Sequence, residues 1–260
     1  MTDALQLEID GPVARIAFNR ADKRNAISQA MWEAFPRLVE AAVAERGVRA
    51  LVIQSATPAM FSAGADIGEF AEKARDPVWQ AGNRQALRGA QLAISRAPVP
   101  TLAIVDGDCV GAGCGVALAC DMRIASSRAR FGITPAKLGL VYPLHDIKLL
   151  VDLVGPGQAR RILYTGELLS ADEALVIGLI EMGTTVEALS REAELLIARI
   201  VENAPSSTTA LKGLVRRVLD GDRDDDAASA AIFDGAFAGA DFAEGLAAFA
   251  ARRKPVFADR

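Results

Sequence analysis

The stretch from Thr101 to Pro143, TLAIVDGDCVGAGCGVALACDMRIASSRARFGITPAKLGLVYP, restricts the fold of this chain more than any other. It opens on a short apolar run, Thr101 to Val105, set off upstream by Pro98 and Pro100, with the length and flanks of a buried strand. Gly107, Gly111 and Gly113 then break the chain, and Cys114 to Cys120 is apolar on every side, as in a fully buried helix. Strand, glycine-rich turn and helix together aim a helix N-terminus at one point, where free N–H groups and the helix dipole can hold a negatively charged oxygen. Small residues leave room for a ligand to reach the backbone itself. Three readings of the turn are open. A dinucleotide-binding loop needs a third glycine where Val116 stands, so that fingerprint fails. The turn could instead serve only tight packing of helix on strand, or form an oxyanion hole for a reacting carbonyl.

The chain around it is long enough, at 260 residues, for one compact domain or a domain with a helical appendage. Its net charge of −4 argues against a nucleic-acid or anionic-membrane surface. The N-terminal MTDALQLEID has no basic start and no long apolar run, and polar residues interrupt every candidate membrane span; a cytoplasmic protein is expected. Cys109, Cys114 and Cys120 are odd in number and lie in the apolar stretch, which reads as buried reduced thiols. His145 is the sole histidine, so no metal site built on His or Cys is expected.

Residues 5–9 and 13–18 alternate around Gly11-Pro12 and read as a hairpin. A helix follows Ser28 to about Arg46, with a kink or division expected at Pro36. A strand covers Ala50 to Gln54; Asp66 starts a short helical turn, and Asp76-Pro77 starts a helix to about Arg96. Extended pieces are expected at Met122 to Ala125 and near Phe131, and the remainder reads as mostly helical. Ser170-x-x-Glu173, Thr184-x-x-Glu187 and Asp241-x-x-Glu244 each resemble an N-terminal cap. The acidic run Asp220 to Asp226 reads as a solvated turn.

A second stretch, MFSAGADIGEF at residues 60–70, decides among the readings of the turn. Phe61-Ser62-Ala63-Gly64-Ala65-Asp66-Ile67, Val105-x-Gly107-x-x-x-Gly111-x-Gly113-Cys114 and Cys120-Asp121-x-Arg123-Ile124-Ala125 together resemble the enoyl-CoA hydratase/isomerase (crotonase) superfamily. Asn19 to Ala26 looks like that family's first CoA-contacting loop, Gly155 to Gly178 like its helical segment, and Phe242 to Phe257 like its C-terminal arm. The resemblance implies an α/β fold, a spiral of repeated ββα units. Residues 1–200 would form the acyl-CoA-binding core, and residues 201–260 a helical segment for trimer contacts and CoA cover. It further implies a homotrimer or a dimer of trimers, an acyl-CoA thioester as substrate, and no separate cofactor. The thioester oxygen would lie between the N–H groups of Ala65 and Ala112. CoA contacts would fall on Lys23, Arg24 and Ala26 and on Ala63, Asp66 and Ile67, with Arg252, Arg253 and Lys254 adding positive charge.

The chain departs from the family's hydratases at both catalytic glutamates, whose places are taken by Gly115 and Pro135. Paired carboxylates activate and orient water, and neither glycine nor proline can. Thr134-Pro135-x-x-Leu138-Gly139-x-x-Tyr142 resembles the matching stretch of methylmalonyl-CoA decarboxylase, a relative that also lacks the glutamate pair and has a tyrosine at the position of Tyr142; its histidine in the first oxyanion motif is Ala65 here. Tyr142 is therefore a candidate catalytic residue. His145 and Asp146 could form a proton-transfer pair, although adjacent helical residues do not face the same way. Asp121 reads as structural, and Asp108 has no assigned place. Hydration, isomerisation and malonyl-type decarboxylation stay open, beside a non-catalytic CoA-ester-binding protein that has lost its carboxylates. An RNA-binding relative would need a lysine-rich helix, whereas Ser28 to Arg46 carries only Arg37 and Arg46 as cations beside Glu33, Glu40 and Glu45.

Overall fold

The computed structural model describes residues 3–258. Strands β1 (Leu5–Asp10) and β2 (Val13–Phe18) form the expected antiparallel hairpin, Leu5 opposite Phe18 and Asp10 opposite Val13. The next helix, α1 (Gln29–Ala44), is capped by the Ser28 hydroxyl, which accepts from the Met31 N–H. Pro36 does not divide it: one helix runs through the proline, burying Met31, Trp32, Phe35, Leu38 and Val39. The proline ring packs beside Gly89 of a later helix. Burial of that apolar face outweighs the one backbone bond that proline removes.

Strands β3 (Ala50–Ser55) and β4 (Met60–Ser62) precede helices α2 (Ile67–Lys73) and α3 (Pro77–Ser95). Then come β5 (Thr101–Val105), β6 (Asp108–Val110) and the buried helix α4 (Ala112–Ala119), followed by β7 (Met122–Ser126), β8 (Arg130–Gly132), a 3₁₀ turn at Pro135–Leu138 and α5 (Leu144–Thr165). Gly155, at φ +70° and ψ 168°, interrupts α5 just ahead of Pro156. The rest comprises β9 (Leu169–Ser170), α6 (Ala171–Val176), β10 (Met182–Thr184), α7 (Leu189–Val201), α8 (Pro205–Asp220), α9 (Ala227–Phe237) and α10 (Ala240–Ala250).

A six-stranded sheet runs β1-β2-β3-β5-β7-β10, parallel from β2 onward; a four-stranded sheet runs β4-β6-β8-β9. Each turn of the chain lays one strand in the first sheet, a short one in the second and then a helix, the repeated ββα unit. The large sheet's strands carry near-continuous apolar runs such as Leu51-Val52-Ile53, as expected where both faces are covered. Phe18, Phe35 and Phe61 pack edge to face between sheet and α1, with ring centroids 5.3–5.9 Å apart.

Two expected caps are absent. Thr184 ends β10, and α7 starts at Ala188 with no side-chain cap, so Thr184 and Glu187 form no capping box. Gly239, not Asp241, caps α10; the Asp241 carboxylate accepts instead from Ser206 at the start of α8. Ser170 and Glu173 do form the full box on α6. Asp226, in the acidic turn, caps α9 and pairs with Arg217. Asp121 accepts from the Thr101 N–H and hydroxyl and from Lys212 of α8 (2.8 Å), tying the C-terminal helices to the sheet.

Candidate active site

The two glycine motifs meet where β4 ends and α4 begins. The Ile27 N–H donates to the Gly64 carbonyl (2.8 Å), and the Asp66 N–H donates to the Ile27 carbonyl (3.0 Å). Ala65 lies between them in this parallel bridge, so its own N–H points the other way. Ala112 is the first residue of α4, behind the N-cap Gly111, and its N–H has no intrahelical acceptor. Among the described residues neither N–H meets an acceptor. The approach is close because glycines permit it. Gly64 sits at φ +108°, and the position of a Cβ there lies 3.1 Å from the Val110 carbonyl oxygen and 3.7 Å from the Ala112 nitrogen. Gly113 packs on Ser62, where a Cβ would come within 2.5 Å of the serine Cβ. Ser62 itself is buried and donates to the Asn25 carbonyl (2.7 Å) while accepting from the Gly64 N–H (3.2 Å).

Both N–H groups open on a cavity of about 340 Å³ walled by Ala63, Gly64, Ala65, Ile67, Gly111, Ala112, Thr134, Pro135, Tyr142 and Asp146, with Leu87, Gln91 and Arg84 from α3. Beside it the loop after β2 runs against residues 63–66. Arg24 and Asn25 both have positive φ (51° and 54°). Asn25 holds that shape by donating to the Ser55 hydroxyl and the Phe61 carbonyl and accepting from the Arg20 N–H. The Ala63 N–H donates to the Arg24 carbonyl (3.0 Å). Lys23, Arg24, Ala26, Ala63, Asp66 and Ile67 are thus brought onto one edge, with Lys23 and Arg24 exposed.

Two side chains on that edge have partners the sequence did not reveal. Arg24 donates to Asp108 (2.9 Å), which also accepts from Arg130 of β8 (2.8 and 3.0 Å), so Asp108 anchors this cationic cluster. Asp66 accepts from Arg20 (2.7 Å) and caps α2; the Arg20 guanidinium holds its carboxyl below the usual range. Its charge is thus engaged by Arg20, while the neighbouring Ile67 lines the cavity. In the C-terminal arm Arg253 pairs with Glu244 and Lys254 with Glu202.

Gly115 and Pro135, the positions at which the resemblance expects glutamates, both lie close to the cavity. A Cβ on Gly115, one turn along α4 from Ala112, would lie 2.7 Å from Gln91 Nε2, 2.9 Å from the Tyr142 hydroxyl oxygen and 3.6 Å from Asp146 Oδ1. Tyr142 donates to the Gly111 carbonyl (3.1 Å), the residue just ahead of Ala112. Burial keeps its phenol well above the usual pKa, so it stays neutral. Pro135 starts the 3₁₀ turn and contributes only its ring to the wall.

Asp146, read from the sequence only as one half of a proton-transfer pair with His145, lies on the cavity wall. Its side chain is 1% exposed, and Oδ1 has no hydrogen-bond partner among the described residues. Burial pushes the carboxyl up to about 7, against a lowering hydrogen bond from Gln91. His145 Nε2 stands 3.6 Å from Asp146 Oδ1, so these adjacent residues do come together at the first turn of α5; burial and the Arg88 charge lower the imidazole pKa. No sequence signal marks Asp146 beyond its nearness to Tyr142. Among the described residues no cluster of His, Cys, Asp and Glu could hold a metal ion, and no helix is long and apolar enough to cross a membrane. The three cysteines are free and buried.

The same architecture recurs in solved structures. A protein from Hyphomonas neptunium assigned to the enoyl-CoA hydratase/isomerase family superposes with a TM-score of 0.96 at 36% identity, covering 100% of this chain and 99% of its own. An enoyl-CoA hydratase/carnithine racemase from Magnetospirillum magneticum gives a TM-score of 0.95 at 30% identity, over 99% and 96% of the two chains. In sequence, the short-chain-enoyl-CoA hydratase of Clostridium acetobutylicum is 31% identical over 95% of this chain and 95% of its own. The family profile described as enoyl-CoA hydratase/isomerase matches residues 8–260. With that span matched and the whole fold shared, the chain belongs to the enoyl-CoA hydratase/isomerase family.

Proposed function

We propose that this protein is an enzyme that processes acyl-CoA thioesters through an enolate, held by the main-chain N–H groups of Ala65 and Ala112. The observation that carries this is the pair of unpartnered N–H groups, from two separate motifs, opening on one cavity. Two donors and the α4 dipole stabilise charge that develops on the thioester oxygen. CoA would run along the exposed edge, with Lys23 and Arg24 toward its phosphates and the 63–67 backbone toward the adenine and pantetheine amide. The family acts on CoA thioesters, and the C. acetobutylicum relative carries the name of a hydratase, which supports the substrate class.

A second reading concerns the reaction. With Gly115 and Pro135 in place of the glutamates, crotonyl-CoA hydration should fall by at least ~10²–10⁴ relative to a two-carboxylate enzyme. A malonyl-type acyl-CoA reaches the enolate by losing CO₂ without any base, and Tyr142 stands beside the oxyanion donors to position the departing carboxylate. The test is a panel of crotonyl-CoA, a 3-enoyl-CoA and methylmalonyl-CoA with analysis of the CoA products, alongside calorimetry with acetyl-CoA. The expected result is measurable CoA binding, weakened by Arg24→Glu, and decarboxylation favoured over hydration. Rapid hydration of crotonyl-CoA overturns the second reading; binding without turnover of any substrate favours a non-catalytic CoA-ester binder; no binding at millimolar CoA overturns the whole assignment.

A further inference from the structure

Asp146 is a buried carboxyl on the wall of the cavity with an oxygen left unpaired, a state that is destabilising unless something binds there. Its Oδ1 lies 3.6 Å from the point at which a side chain on residue 115 would begin. Residue 115 is three positions along α4 from Ala112, about 4.5 Å at 1.5 Å per residue. The Tyr142 hydroxyl spans that interval, bonded to the Gly111 carbonyl at 3.1 Å and 2.9 Å from the same point. The carboxyl therefore lies on the same cavity wall as Ala65 and Ala112, about one turn of α4 away from the Ala112 N–H.

We infer that Asp146 is the catalytic residue that carries a proton to and from the α-carbon of the acyl-CoA enolate. The inference rests on the enolate reading above and assigns the proton step that reading leaves open. In the forward sense the Asp146 carboxylate takes the α-proton, the C–H electron pair becomes the carbon–carbon double bond, and the carbonyl pair moves onto the oxygen held by the two N–H groups. In the reverse sense the acid returns the proton to the α-carbon, the thioester carbonyl re-forms, and Asp146 is left ionised. An enolate formed by loss of CO₂ is quenched by this reverse step alone. His145 is part exposed, with Nε2 3.6 Å from Asp146 Oδ1, which places a group in reach of solvent beside the carboxyl.

The charged and titratable groups around this corner are Tyr142 and His145 on its own segment, Arg84 and Arg88 from α3, and Cys114 from α4. Tyr142 stays neutral and the imidazole pKa is lowered, so Asp146 is the group that changes charge near pH 7. A carboxyl half ionised at neutral pH serves as acid and base alike.

The experiment is exchange of the α-protons of propionyl-CoA in D₂O, followed by proton NMR, with binding measured separately by calorimetry. Wild-type protein should exchange them, at a rate that rises with pH and levels off above about 7. Asp146→Asn, nearly isosteric, should bind propionyl-CoA as before but exchange at least ~10²-fold more slowly, with the pH dependence gone. Ala112→Pro removes one N–H at a helix position that accepts proline and should slow exchange by ~10²–10³. Exchange by Asp146→Asn at the wild-type rate overturns the role of Asp146 and leaves the oxyanion hole standing; an undiminished Ala112→Pro sinks the oxyanion hole. A wild-type pH profile that is flat between 5 and 9, or wild-type protein that binds propionyl-CoA without exchanging it, overturns the inference without recourse to a variant.

Discussion

Asp146 links the stability of the protein to pH in a definite direction. Its carboxyl is raised to about 7 in the folded chain from an ordinary 3.8. Below pH 4 both folded and unfolded chains hold the proton. Between there and about 7 only the folded chain does, so stability is lost as pH rises across that window. Asp146→Asn cannot ionise and should raise stability at pH 8 by on the order of 1–4 kcal/mol while changing little at pH 4. Urea denaturation at the two pH values checks this, and an equal effect at both would contradict it. Gly115→Glu should not restore hydration: its Cβ would meet Gln91 and the Tyr142 hydroxyl inside 3 Å, and Pro135 still supplies no partner. A loss of about 1–3 kcal/mol in thermal unfolding is expected, together with unchanged crotonyl-CoA turnover. Gly115 and Pro135 were legible as candidate departures from a hydratase because each sits at a short, fixed offset from a motif, after Gly113-Cys114 and after Phe131-Gly132. Asp146 was not, because the turn at Tyr142-Pro143 and the approach of α5 to α3 and α4 decide its burial, and neither leaves a local pattern.

At the scale of elements, the helices that could be read were those with a cap and a long apolar face. Ser28, Asp66, Asp76 and Ser170 all cap the helices that the sequence placed after them. The strands of the large sheet up to β7 were equally readable from their apolar runs. Strands β4, β6, β9 and β10, two or three residues each, were not: such pieces show no alternation and exist because a neighbouring strand is already in place. Yet β4 and β6 carry the chain into the two glycine turns at Gly64 and Gly111, so the least legible elements are the ones that lead into the cavity. Helix α2 shows how an element can couple fold to ligand. Its N-cap Asp66 also holds Arg20, which in turn donates to the Ala26 carbonyl in the loop after β2 (3.0 Å). Asp66→Ala should lower stability by about 1–2 kcal/mol and weaken CoA binding several-fold, because the 23–26 and 63–67 segments lose their common tie. Thermal unfolding and calorimetry on the same variant test both parts; unchanged CoA affinity would show that the tie does not shape the site.

At the scale of the whole molecule, the C-terminal helices carry an apolar surface that a single copy leaves in water. Phe237 of α9 stacks edge to face with Phe233 of the same helix and with Phe242 of α10, yet Phe233 is 66% exposed and Phe249, further along α10, is 85% exposed. Leu211, Val215 and Val218 of α8 are also largely exposed. Aromatic and aliphatic side chains left in water on consecutive helices mark a surface that another chain covers, since burying each contributes on the order of 1.5–3 kcal/mol. The resemblance to the family's C-terminal arm implies further copies of this chain as the occupant, and we propose a trimer or a pair of trimers. Sedimentation equilibrium at micromolar concentration should give one of those masses. Phe233→Glu with Phe249→Glu should lower it to the monomer, because a buried unpaired carboxylate opposes association far more than loss of the ring alone. If α8–α10 also cover bound CoA from a neighbouring copy, acetyl-CoA affinity should fall in the dissociated variant. An unsubstituted protein that sediments as a monomer would instead leave this apolar face without a partner and contradict the assembly.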